Sequence, residues 1–260
     1  MRSIPKYDLL RIFKIFIRRI GLLFLFVIAL YFDGTHFASL FPHAQLMPNI
    51  FMIIAFAILY IRSNKRTREL MVYAVIIGFG GEYLFSVGLN MYTYRLENVP
   101  WYIAFGHAAV YARVYMFSKA PIIQKYSREI TQFLYLLISI VAFVYWIVFN
   151  DVFGLVMTLG VFLMLMKRPR DRLFFLTMYM VVAVLEIGGT AYSTWVWPDI
   201  AFGVFPLLPS NNPPSGISLF YFLLDIGCFV MYILINRKSW NRFKNIQKYQ
   251  LKSRHNDKES

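Results

Sequence analysis

The 260 residues are 59% hydrophobic and 19% aromatic, with only 15% charged, a balance that excludes an ordinary water-soluble domain. The net charge of +14 does not indicate nucleic acid, because the cations form short clusters between apolar runs and at the two ends, where membrane topology puts them. One cysteine, Cys228, excludes an intramolecular disulfide and a cysteine metal motif, and inside an apolar run it reads as a small core residue.

A polar start carrying Arg2, Lys6, Arg11, Lys14, Arg18 and Arg19 precedes the first predicted membrane helix, 17–33. Basic residues before an apolar core are also a signal-peptide pattern, but no small-residue cleavage site follows, so the helix is read as retained. A short aromatic loop with His36 and His43 leads to a second helix, 47–62, which ends at Arg62, Lys65, Arg66 and Arg68. The third, 70–90, holds Glu82, and its loop, 91–100, holds Tyr92, Tyr94, Arg95 and Glu97. The fourth, 101–118, carries His107 and Arg113; the fifth, 130–149, ends at the turn Asn150-Asp151; the sixth, 152–166, stops at a basic cluster. The seventh, 173–192, holds Glu186, and a Trp-, Pro- and Asn-rich loop over 193–216 leads to the eighth, 217–236, with Asp225. That loop is turn-rich and is read as an external connection, with a lid as the alternative.

All but two of the 27 Lys and Arg fall on the side shared by both termini, the exceptions being Arg95 and the intrahelical Arg113. This bias places both ends in the cytosol and requires an even number of spans. The expectation is an all-α, polytopic transmembrane bundle of about eight spans in the cytoplasmic membrane. It forms one domain, 1–236, followed by a basic tail, 237–260, suited to anionic lipid headgroups. Segments 17–118 and 130–236 begin and end on the same sides, which allows a parallel four-plus-four repeat. Each half has a glutamate in its third helix, then small residues, then paired aromatics, Tyr92 and Tyr94 or Trp195 and Trp197, then proline.

Depth ties the ionisable residues together. At about 1.5 Å rise per residue, Glu82 and Glu186 lie roughly 18 to 20 Å from the inner edge of an apolar core about 30 Å thick. His107 and Asp225, on returning helices, lie roughly 18 to 21 Å from that edge. An ionisable residue at such depth is a functional-site hypothesis by default. The alternative for each is an interhelical hydrogen bond that only holds the bundle together. Gly78, Gly81, Gly188 and Gly189 permit close helix approach, with Ser86 and Thr190 one turn on as expected partners.

An apolar setting favours a neutral carboxyl group, which is a proton donor, while a neighbour kept ionised by His107 or Arg113 accepts one. Such a pair suits protonation of a carbon–carbon double bond, with aromatic rings facing the developing positive charge. Glu82, Glu186, Asp225 and His107 are the expected acid/base residues. Asn90, Tyr92, Tyr94, Trp101, Tyr111, Arg113, Tyr192 and Tyr221 are the expected substrate lining. For Tyr92, Trp101, Trp195 and Trp197 an interfacial aromatic belt is an equal reading. Arg113 either pairs with a carboxylate or reaches the interface. The spacing of His36, His43 and His107 matches no metal motif, and no cofactor-binding motif is present, so neither metal nor cofactor is expected.

Glu82, Gly88, Tyr92-x-Tyr94 and Val99-Pro100-Trp101 resemble the Glu…Gly…Tyr-x-Tyr…Val-Pro pattern of integral-membrane carotenoid hydratases of the bacterioruberin-pathway type. The Glu-to-Tyr spacing is shorter here, and the Phe-Gly that precedes the tyrosines in that family is absent. Small membrane-embedded terpene cyclases are similar in logic, with an acidic pair in a helical bundle. The resemblance implies that Glu82 is an acid/base residue acting on an isoprenoid double bond. Three functions stand open: a lipid-modifying enzyme, a proton- or cation-coupled transporter using the same residues, and a non-catalytic membrane subunit. The partner expected in the first case is a membrane lipid or lipid-soluble small molecule; nucleic acid is not expected.

Overall fold

The computed structural model describes residues 4–238 and Asn241. Most of the expected basic tail therefore lies outside the described residues. The helices are α1 (Lys6–Arg19), α2 (Phe24–Asp33), α3 (Thr35–Leu40), α4 (Leu46–Ile61), α5 (Lys65–Glu82), α6 (Trp101–Ser118), α7 (Pro121–Lys125), α8 (Ser127–Phe149), α9 (Val152–Met166), α10 (Arg172–Ala191) and α11 (Ser218–Ile235). A 3₁₀ turn over Gly21–Leu23 joins α1 to α2, and a π-helical turn over Tyr83–Gly88 continues α5. Among the described residues four short strands lie in the loops: β1 (Thr93–Tyr94), β2 (Trp195–Val196), β3 (Ile200–Ala201) and β4 (Phe205–Pro209).

The chain is all-α in class, and five helical stretches among the described residues are long and apolar enough to cross a membrane: Lys6–Asp33, Lys65–Gly88, Ser127–Phe149, Arg172–Ala191 and Ser218–Ile235. Leu46–Ile61 and Val152–Met166 are shorter apolar helices. Helix α6, which carries His107 and Arg113, falls outside both groups and is instead the most enclosed helix, packed against α4, α5 and α10. The first helix departs from expectation. It begins at Lys6 rather than near 17, because Leu9, Ile12, Phe13 and Phe16 alternate with Arg11 and Lys14 at helical spacing.

Local signals explain several boundaries. Asn64 caps α5 by accepting from Thr67 N at 2.9 Å. Asn49 of α4 performs the same service for α6, accepting from Tyr102 N at 2.9 Å. The tight turn expected at Asn150-Asp151 is present: Asn150 ends α8 in a left-handed conformation and Asp151 caps α9. On α8 only Ile138 and Ala142 are buried. Phe133, Leu136, Ile140, Phe143 and Ile147 face outward, which in water would be a severe cost and in a bilayer is the solvated state. Helices α5, α6, α10 and α11 pack as the central four.

Candidate functional site

Glu82 is the last residue of α5 and is 3% exposed. Gly81 brings α5 onto α11, since a Cβ there would meet Leu224 Cδ2 at 2.4 Å. The π-helical turn begins at the next residue and widens the backbone so that the chain can fold back over the carboxylate. Ten and twelve residues on, Tyr92 and Tyr94 both donate to Glu82 Oε2, the second at 2.5 Å. Burial, and then the adjacent Glu82 charge, hold both phenols well above the ordinary tyrosine range, so they remain donors.

Glu186 of α10, also 3% exposed, has a parallel arrangement. Nine and eleven residues on, Trp195 and Trp197 donate their indole N–H groups to Glu186 Oε2 at 2.8 and 3.1 Å. Tyr221 of α11 donates to Oε1 at 2.9 Å.

The two donor segments pair with each other. Strands β1 and β2 run antiparallel, with Thr93 opposite Val196 and Tyr94 opposite Trp195. Side chains alternate across a strand, so Thr93 and Val196 point outward and are exposed while the four aromatics turn inward. Tyr92 lies on Trp197 with ring centres 4.5 Å apart, and Tyr94 lies 6.0 Å from Trp195. The ribbon is thus a cap over both glutamates. An interfacial belt is ruled out for Tyr92, Trp195 and Trp197, which are buried, and of the four only Trp101 fits it, at 60% exposed.

His107 and Asp225 form a second pair. His107 Nε2 lies 3.3 Å from Asp225 Oδ1, yet neither oxygen of Asp225 makes an aligned hydrogen bond among the described residues. The Tyr221 ring lies 5.5 Å from the His107 ring, so Tyr221 touches both pairs. A small cavity of about 10 Å³ is lined by Glu82, Glu186 and Tyr221. A second, of about 60 Å³, is lined by Tyr221, His107, Trp195 and Leu185. On its other side Leu185 faces an apolar groove of about 980 Å³ running between α1, α2, α8 and α10. Leu185 thus lines both the groove and the His107 cavity, and Tyr221 lines both that cavity and the one at the glutamates.

Other expected residues are placed elsewhere. Arg113 meets no carboxylate among the described residues; it donates to the carbonyls of Arg18 and of Arg19, the latter at 2.8 Å, and so closes the end of α1. Tyr111 is one turn beyond His107 and lines a space with Asp225, away from the glutamates. Asn90 is an exposed left-handed turn residue, and Tyr192 packs on Tyr31 at 5.4 Å. Neither Ser86 nor Thr190 touches a glutamate carboxylate: Ser86 donates to Tyr92 O and Thr190 to Glu186 O. Thr190 follows the usual tendency of a helical hydroxyl to bond the carbonyl one turn back, whereas Ser86 ties the π-helical turn to the start of the ribbon. His36 and His43 are exposed. Among the described residues no group of three His, Cys, Asp or Glu is placed to hold a metal.

Buried aspartates beyond the expected site also organise the fold, among them Asp8, Asp33 and Asp151. Asp33, at the end of α2, accepts from Arg95 at 2.5 Å, Tyr102 at 2.8 Å and Gln45 at 3.2 Å, tying three segments together at the ribbon end. The signal in the sequence is Arg95, the one cation in the loops expected opposite the termini. Asp151 accepts from Gly154 N, Asn211 N and Ser215 N, which pins the 193–216 loop down on α9.

Comparison with known protein families, with curated proteins and with solved structures gives no match to this chain.

Proposed function

We propose that the protein is an integral membrane enzyme that performs acid/base chemistry on the double bond of a lipid-soluble, isoprenoid-like substrate. The observation that carries this reading is that Glu82 and Glu186 line one water-sized cavity beneath an aromatic cap, which a substrate double bond enters by displacing Tyr221. The apolar groove, which shares Leu185 with the His107 cavity, supports lateral approach from the bilayer, as a lipid substrate requires.

The donor sets assign the roles. Glu186 accepts three side-chain hydrogen bonds and is suited to hold negative charge. Glu82 accepts two, both on Oε2, leaving Oε1 to carry a proton. Glu82 transfers that proton to one alkene carbon, forming a C–H bond and leaving positive charge on the neighbouring carbon. The faces of Tyr92 and Trp197 stabilise this charge. In a hydration, water oxygen bonds to the cation and its surplus proton passes to Glu186; in a cyclisation, a second double bond attacks and Glu186 takes the proton lost. His107 and Asp225 stand beside Tyr221 to return the proton.

The same reading includes eight spans with both termini in the cytosol of a cytoplasmic-membrane protein, and a parallel repeat. The repeat is supported by the ribbon: Thr93, midway between Tyr92 and Tyr94, stands opposite Val196, midway between Trp195 and Trp197. A two-fold axis along the membrane normal generates that pairing.

A proton-coupled transporter is the second reading. It is favoured by one observation, that Asp225 lies at a polar space of about 390 Å³ while both its oxygens lack hydrogen bonds among the described residues. The test is a mass-spectrometric comparison of lipid extracts from cells expressing wild type, Glu82→Gln or Glu186→Gln. A lipid converted by wild type and spared by both variants is the expected result. Conversion that survives in both removes the enzyme reading.

A further inference from the structure

At the bundle end where α5 begins and α6 finishes, the polar space beside Asp225 widens into a vestibule between α5, α6, α10 and α11. Arg66, Lys119, Arg168 and Arg170 stand around it, against the two carboxylates Asp171 and Asp225, with Tyr115 on the wall. None of these four cations has a carboxylate partner among the described residues. Arg66 is held between two aromatic faces, its guanidinium 6.0 Å from the Tyr115 ring and 5.2 Å from the Tyr232 ring. Its Nε is buried and makes no hydrogen bond among the described residues.

Cations at a membrane surface ordinarily snorkel outward to water and headgroups. Arg66 and Arg168 instead are half-buried in a recess of about 390 Å³. A guanidinium lying over aromatic rings keeps its N–H fork free to match a phosphate. Asp225, at the buried end, repels an anion from going deeper. The bound group is therefore held at the mouth.

We infer that this vestibule binds a phosphate monoester or diphosphate group through Arg66, Arg168 and Arg170. That group belongs either to a lipid headgroup or to a soluble phosphorylated molecule. Its binding is read as occupancy rather than turnover, and so stands apart from the chemistry at the two glutamates.

The experiment titrates inorganic pyrophosphate into the purified full-length chain in phosphatidylcholine nanodiscs, followed by calorimetry. Wild type binds saturably, and Arg66→Gln weakens binding about tenfold or more, the loss expected for a charge-assisted contact. Arg66→Lys retains charge without the fork and falls between them. Arg62→Gln removes a cation at the same bundle end that does not line the vestibule, and it leaves binding unchanged. Should Arg66→Gln fail to fold, the exposed Arg170→Gln takes its place. Repeating the titration in discs that contain phosphatidate separates the sources: pyrophosphate binding lost there identifies a lipid headgroup, and binding retained identifies a soluble ligand. No saturable binding in either disc, or equal weakening by Arg62→Gln, overturns the inference.

Discussion

The indole of Trp195 lies so close to Gly189 that a Cβ at that glycine would meet the ring at 2.1 Å, and this contact aims the indole N–H at Glu186. Gly189→Ala should therefore displace Trp195, destabilise the protein by about 1–3 kcal/mol as other overpacked sites do, and abolish lipid conversion. Gly80, one position from Gly81, has nothing within 4 Å of its missing Cβ. Gly80→Ala should match wild type in detergent melting curves and in conversion. Equal behaviour of the two variants would contradict the packing described for Trp195.

The ribbon is testable by cross-linking. In a Cys228→Ser background, Thr93→Cys with Val196→Cys places two thiols directly opposite each other on its exposed face. Mild oxidation should join the halves, so that proteolysis within α8 leaves one band until reductant is added. An impermeant maleimide added to intact cells should label either single cysteine.

Arg95 is the main countercharge of Asp33, whose side chain is 1% exposed while that of Arg95 is 16% exposed. Arg95→Leu strands a buried carboxylate and should cost about 3 kcal/mol, the low end of such losses because the pair is partly wet. Asp33→Asn in the same chain should recover part of this. A double-mutant cycle from thermal or denaturant melts reads the coupling; additive losses would mean that the pair contributes nothing.

The enzyme reading makes separate demands on Glu82 and Leu185. Glu82→Gln and Glu186→Gln should each lower conversion by roughly 10²–10⁴-fold, the range for removing a general acid or base, with folding unaffected. Leu185→Trp should thicken the wall that the apolar groove and the His107 cavity share and stop conversion of a bulky lipid. It should leave the Trp195 and Trp197 hydrogen bonds in place. Unchanged conversion in Leu185→Trp would require another route to the glutamates.

The two glutamates are legible in the sequence because a carboxylate is costly inside an apolar run and stands out against it. Their partners are only half legible. Two-residue strands carry no periodicity, and a Tyr or Trp just past a helix looks the same whether it faces headgroups or folds inward. Asp33 is hidden by its position: an acid at a helix end beside glycine is commonplace, and only its neighbours in space show that it is enclosed. Arg113 misleads because its partners are backbone carbonyls at the end of α1, which leave no residue-type signature. The start of α1 is obscured because interleaved cations mask an apolar stripe when it is read for membrane span rather than for face.

The side chains that hold the two glutamates belong to different chemical kinds, and this has a consequence for direction. An indole N–H gives a hydrogen bond and takes none, so Trp195 and Trp197 form a static clamp. A phenol both gives and takes, so Tyr92 and Tyr94 can hand a hydrogen ion along. Under the proposed chemistry, the difference in donor type sets a direction: hydrogen ions enter at the tyrosine side and leave towards Tyr221.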